Sequence, residues 1–200
     1  MPPPGDLPAF VRDLRKPVVA AVNGPVAGVG FAYMMASDIR YADPDARIST
    51  TFARLGLVAE YGVSWLLPRL IGVGHTLDLL LSGRTITGAE AASVGLVQRT
   101  VPAGCLVQAA IEYARELADK CSPASMAVIK QQVYEDLSTT SAEALSRSLS
   151  LMDESLDGAD FAEAMAARAE DRSARFAALP AELLTPSGPP DPVDGLHRAG

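Results

Sequence analysis

The segment Ala21–Asp38, AVNGPVAGVGFAYMMASD, constrains the fold more than any other stretch of the chain. It continues a β-branched apolar run, Val18 to Val22, of the kind that forms a buried strand, and the run ends in Asn23-Gly24. Gly28 and Gly30 follow, and a helical pattern then runs without a charge until Asp38. A strand, a glycine-bracketed turn and a helix start leave backbone N–H groups exposed at the positive end of a helix dipole. Such fixed donors suit a developing oxyanion, and glycine on either side lets a carbonyl approach closely. From the residues alone, the alternative is that Gly28 and Gly30 only permit tight helix–strand packing.

Other glycine loops do not fit. A dinucleotide fingerprint requires a third glycine where Tyr33 stands, and no acidic residue closes a βαβ unit. Neither Gly-Lys-Ser/Thr nor Gly-x-Ser-x-Gly occurs in the chain. With His75 and His197 as the only histidines, a histidine-based triad is disfavoured.

Along the chain, a short α/β front gives way to a helical back. LPAFVRDL reads as one or two helical turns, and IRYA and RIST read as two short strands around the Asp43-Pro44 turn. GVSWLLPRLIG is an apolar helix that Pro68 should kink, and HTLDLLLSG a second helix closed by Gly83. Thr87 with Glu90 forms a capping box, and LVQRTV reads as a further strand. A long helix follows, with Leu106, Ala110, Tyr113 or Ala114, and Leu117 on its core face. Ser122-Pro123 opens the next helix, where Met126, Ile129, Val133 and Leu137 share a face. Thr140 with Glu143, and Asp160 with Glu163, signal two more helix starts. Their apolar stripes are Leu145, Leu149, Met152, Leu156 and then Phe161, Met165, Ala169, Phe176.

These elements divide the chain into an α/β part at residues 1–102, a helical part at 103–178 and a proline-rich tail at 179–200 expected to be disordered. Two hundred residues, 48% apolar and 20% charged, suffice for one domain with a sizeable core. A formal charge of −7 argues against nucleic acid or an anionic membrane as partner. Cys105 and Cys121 fit neither a zinc cluster nor a disulfide framework, and no metal site is expected. With no signal peptide or long apolar span, a cytoplasmic location is the expectation.

The stretch KPVVAAVNGPVAGVGFAYMMASDIRYADPDARIS, followed by FARLGLVAEYGVSWLLPRLIGVGHTLDLLLSGRTITGAEAASVGLVQRTVP, resembles the enoyl-CoA hydratase/isomerase family, the crotonases. The likeness runs from about Arg15 to Phe176. It implies an α/β spiral of ββα units, here shortened at its N-terminus, with a helical C-terminal region that packs homo-trimers, often paired into hexamers. It implies an acyl-CoA thioester as substrate, coenzyme A being part of that substrate, and no separate cofactor. The reaction would pass through a thioester enolate held by backbone N–H groups, one of which maps onto Val29, between Gly28 and Gly30 and next to Ala27. Trp65 and Leu66 are candidates for lining an acyl tunnel, the alternative being core packing, and Arg84 and Lys130 for meeting CoA phosphates, the alternative being solvated surface charge; Phe161 resembles a family aromatic that reaches a neighbouring subunit's CoA, packing within the trimer being the alternative.

The departures from the pattern bear on the reaction. Hydratases of the family carry two glutamates where this chain has Ala32 and Phe52, and neither residue can move a proton to or from water. Glu60 occupies the place where isomerase-type members carry a single acidic residue. One carboxylate suffices to shift a double bond, and the apolar neighbours Val58, Trp65 and Leu66 are expected to raise its pKa. Nothing in MPPPGDLPAFVRDLR resembles the family loop that supplies the other oxyanion N–H, and the Val18–Val22 strand is expected to show an unpaired edge. The expected function is therefore isomerase-type double-bond migration with Glu60 as acid/base. A truncated, non-catalytic binding or assembly subunit is the alternative, and an enoyl-CoA hydratase the lesser one.

Overall fold

The computed structural model describes residues 7–180. Helix α1 (Leu7–Asp13) leads into strand β1 (Val19–Val22), helix α2 (Val29–Ala36), strand β2 (Ile39–Ala42) and strand β3 (Arg47–Ser49). After a 3₁₀ turn at Ala53–Leu55 come α3 (Val63–Ser82), β4 (Thr85–Thr87), α4 (Gly88–Ser93) and β5 (Arg99–Thr100). Four helices complete the described residues: α5 (Ala103–Lys120), α6 (Pro123–Asp136), α7 (Ser141–Leu156) and α8 (Ala159–Ala169). The reading of 179–200 as a disordered tail lies, from residue 181 onward, outside the described residues.

The parallel sheet runs β1-β2-β5, with Val19 opposite Ile39 and Val22 opposite Ala42. Its two faces are both covered, as a parallel sheet demands. Alternation along the strands sends Val22 and Ala42 into the main core with α2 and α3, while Val19, Ala21, Ile39 and Tyr41 pack against Leu106 and Ala110 of α5. Among the described residues β1 pairs only with β2, so its other edge is open. A smaller antiparallel pair, β3 with β4, sets Ile48 opposite Ile86.

Helix α2 is the centre of the core: Phe31, Ala32, Met34, Met35 and Ala36 are all buried. A helix so apolar on every side must be enclosed, which explains why no charge appears before Asp38. Its entry loop is stitched to β3, where Val26 N–H donates to Arg47 O at 2.9 Å and Val26 O accepts Ser49 N–H at 3.0 Å.

Several local expectations change. The interruption in α3 falls at Gly72 (φ 75°, ψ 164°), not at Pro68. Proline near a helix start forfeits one hydrogen bond, whereas glycine takes the non-helical torsions at little cost. The LVQRTV strand shrinks to Arg99–Thr100, with Leu96 and Val97 buried ahead of it. Thr87 Oγ1 accepts Glu90 N–H, but the Glu90 carboxylate turns to Arg84 instead of closing the box. Thr140 and Glu143 form the complete reciprocal cap.

Asp160 does not cap α8, which starts after Gly158; its carboxylate accepts from Ser122 Oγ, tying α8 to the start of α6. On α6, the stripe containing Ile129 and Val133 faces outward, and Ala127 and Lys130 face the core. The stripe on α7 is exposed throughout, and so are Phe161 and Met165 on α8. No helix among the described residues is long and apolar enough to cross a membrane.

Candidate functional site

Gly28 caps α2 with φ 53° and ψ −128°, a conformation that only glycine adopts without strain, and no side chain caps the helix. Within the turn, Gly30 N–H donates to Ala27 O at 3.1 Å, Phe31 N–H to Ala27 O at 3.4 Å, and Ala32 N–H to Gly28 O at 3.2 Å. Among the described residues the Val29 N–H finds no acceptor. It is the first helical residue, so its donor lies at the positive end of α2, and its side chain is 47% exposed. Ala27 is exposed and Gly28 half-buried beside it.

One turn further into α2, Ala32 is buried and lines a cleft of ≈ 540 Å³ between α1, α2, α3 and α6. Tyr61, Gly62, Trp65 and Leu66 form the α3 side of that cleft. Phe52 is buried in the main core. Neither Ala32 nor Phe52 brings an ionisable group.

Glu60 stands immediately before the cleft wall, half-buried, and its carbonyl accepts the Val63 N–H at 3.1 Å. Its own side chain is not part of the lining. Val58 is 78% exposed and encloses nothing, so of the expected apolar neighbours only Trp65 and Leu66 reach the cleft. Tyr61, next in the chain, has φ 55°, a left-handed conformation that costs a non-glycine residue roughly 1–2 kcal/mol. Together with Gly62 at φ 72° it forms the sharp turn that launches α3 beside Glu60. Strain of this kind collects where a side chain must be held in one place.

Two charges proposed for CoA phosphates are otherwise engaged. Lys130 is buried, and its ammonium contacts Asp38 Oδ2 at 2.8 Å and donates to the carbonyls of Val11 and Lys16 at 3.2 Å each. Arg84 is held by Asp78 and by Glu90, at 2.7 and 2.6 Å. The burial of Lys130 is not legible in the residues around it, because its partner Asp38 lies far away in the chain. Phe161 is 41% exposed on α8 and is not among the residues lining the cleft.

Sequence reasoning passed over Arg12 and Tyr134, which also line the cleft. The Tyr134 hydroxyl donates to Asp38 Oδ1 at 3.0 Å, and burial, then the nearby Asp38 charge, holds the phenol above the ordinary tyrosine range. Arg12 spans two aromatic faces, 5.7 Å from Trp65 and 5.9 Å from Tyr134.

Known proteins resemble this chain in sequence and in fold. The sequence profile described as Enoyl-CoA hydratase/isomerase matches residues 6–178. The Mycobacterium tuberculosis protein named "Probable enoyl-CoA hydratase EchA12" is 37% identical over 174 residues, covering 86% of this chain and 61% of its own. The crystal structure of the enoyl-CoA hydratase EchA12_1 from Mycobacterium marinum is 53% identical with a TM-score of 0.60, over 64% of each chain. That of an enoyl-CoA hydratase from Bacillus anthracis is 30% identical with a TM-score of 0.81, covering 84% of this chain and 65% of that one. The chain thus spans less than two thirds of the length of these relatives. With a family match over most of its length and the crotonase fold of its structural neighbours, the chain belongs to the enoyl-CoA hydratase/isomerase family.

Proposed function

We propose that this chain processes acyl-CoA thioesters and moves a carbon–carbon double bond through a thioester enolate. The observation that carries the reading is the uncommitted Val29 N–H at the start of α2, presented by Gly28 and Gly30. A donor fixed in this way stabilises the negative charge that develops on the thioester oxygen, because it needs no reorganisation when that charge appears. In the proposed step the Glu60 carboxylate removes the C2 proton of a 3-enoyl thioester. The electron pair passes into the enolate, collapse of the enolate forms the C2–C3 double bond, and Glu60 returns the proton to C4.

Isomerisation is favoured over hydration because Ala32 and Phe52 are buried apolar residues at the positions where the family resemblance places the two hydratase glutamates. Adding water requires a base for the water and an acid for the α-carbon, and one carboxylate cannot hold both positions at once. Hydration remains the second reading, since the relatives carry the hydratase name. The exposed apolar stripes of α7 and α8 support self-association, which in this family's pattern is a trimer.

The decisive experiment compares the chain and its Glu60→Gln variant on 3-enoyl-CoA and 2-enoyl-CoA. The expected result is isomerisation by the unsubstituted chain, none by Glu60→Gln, and equal acyl-CoA binding by both. Isomerase turnover retained by Glu60→Gln overturns the role of Glu60. Hydration of 2-enoyl-CoA faster than isomerisation overturns the choice of reaction.

A further inference from the structure

The cleft beside Ala32 is within the size range of small-ligand sites, and its lining mixes apolar and cationic groups. Ala32, Met35, Ala36 and Leu66 supply apolar wall, and Arg12, Lys130 and Tyr134, neighbours of one another through the Tyr134 ring and Asp38, supply the polar part. Most polar groups of the lining are already spent. Lys130 is neutralised by Asp38, the Tyr134 hydroxyl donates to the same carboxylate, and Arg15 donates to the Gln131 side-chain carbonyl. Glu135 accepts from Gln131 and pairs with Arg147. Asp13, the remaining carboxylate on the rim, is exposed.

Among the cations of the lining, Arg12 is the exception. It is half-buried, with its guanidinium 5.7 Å from the Trp65 ring, on which Arg69 packs at 4.0 Å, and 5.9 Å from the Tyr134 ring, yet among the described residues it has neither an ion pair nor a hydrogen-bond acceptor. The fork of donors on a guanidinium matches a carboxylate in two parallel hydrogen bonds, and those of Arg12 are unused among the described residues.

We propose that Arg12 is a specificity-determining residue that receives a carboxylate at the distal end of the acyl group, so that the preferred substrates are ω-carboxyacyl thioesters. This deepens the acyl-CoA reading above and rests on it. The apolar walls take the methylene chain, and the Arg12 edge takes its terminus. A methyl-terminated chain of equal length leaves the guanidinium unpaired and binds more weakly for that reason.

Trp65 is the only tryptophan of the chain and lines the cleft, so its fluorescence reports occupancy. The test titrates the full chain with glutaryl-CoA and with pentanoyl-CoA, two thioesters of the same chain length. Glutaryl-CoA is expected to bind about 10–100-fold more tightly. Equilibrium dialysis repeats the comparison on Arg12→Gln and Arg12→Lys, since either replacement alters the surroundings of Trp65. The preference should fall to about one in Arg12→Gln and survive in part in Arg12→Lys.

Equal affinity for the two thioesters, or a preference that persists in Arg12→Gln, overturns the proposal. If neither thioester binds, the acyl-CoA reading fails, and free glutarate then decides the carboxylate site. Saturable binding abolished by Arg12→Gln upholds it, and no binding overturns it.

Discussion

The Lys130 ammonium lies 2.8 Å from the Asp38 carboxylate, with only 8% and 15% of the two side chains exposed. Asp38 also accepts the Val18 N–H at 2.7 Å and the Tyr134 hydroxyl at 3.0 Å. One buried carboxylate thus ties α6 to the first strand and to the end of α2. Lys130→Met leaves that carboxylate without its counter-charge and is expected to cost about 3–5 kcal/mol in urea unfolding. Adding Asp38→Asn should recover part of the loss, because the buried charge is then gone while an oxygen remains for the Val18 N–H. A single substitution as stable as the parent chain would contradict this account.

Gly28 and Gly30 differ in what they permit. A Cβ at Gly28 meets open space, but the φ of +53° strains any other residue, so Gly28→Ala should turn the Val29 N–H away from its position. Acyl-CoA turnover is expected to fall roughly 10²–10³-fold, the cost of one oxyanion donor. A Cβ at Gly30 lies 3.2 Å from Val26 Cγ2, a contact that a small side-chain shift relieves. Gly30→Ala is therefore the milder of the two, and steady-state kinetics of both variants check the order.

Acid sensitivity has an identifiable source in α8. The Arg172 guanidinium, and after it the Arg175 N–H, hold the Glu163 carboxyl down at about 2 against an ordinary 4.5. Because the folded value is the lower, the unfolded chain binds the extra proton between those pH values. The contribution is complete above pH 4.5 and is lost as pH falls towards 2. Thermal melts across that window should slope less steeply for Glu163→Gln than for the parent chain. Parallel slopes would place the acid sensitivity elsewhere.

Leu145, Leu149, Met152 and Leu156 repeat along one side of α7, and each is about half exposed or more. A run of this kind, continued by Phe161 and Met165 of α8, is a patch that a second copy of the chain would cover. Leu149→Asp is expected to shift the protein to a smaller species in sedimentation velocity without changing its far-UV circular dichroism. An unchanged sedimentation coefficient would remove α7 from the interface.

Much of the local structure was legible in the residues. The Val18–Val22 run, the glycine turn, the uncharged α2, the Ser122-Pro123 start and the Thr140–Glu143 box all formed near their expected places. Each signal acts over three or four residues, through torsion preferences and hydrogen bonds between near neighbours. The free Val29 N–H belongs to the same class, since a helix start leaves its first donors unpaired wherever it occurs.

Which faces turn inward was not legible. Ile129 and Val133 are no less apolar than the residues of the core, yet α6 presents Ala127 and Lys130 to it, because Asp38 draws the lysine in. Asp160 likewise leaves the cap that its spacing suggests and bonds Ser122. The cleft near Ala32, with Arg12 against Trp65 and Tyr134, is assembled from four helices. The sequence by itself determined the elements and the glycine-held donor, whose causes lie within a turn of chain. The tertiary structure alone decided the partners of Lys130, Asp160 and Arg12, because burial and charge pairing depend on groups that only folding brings together.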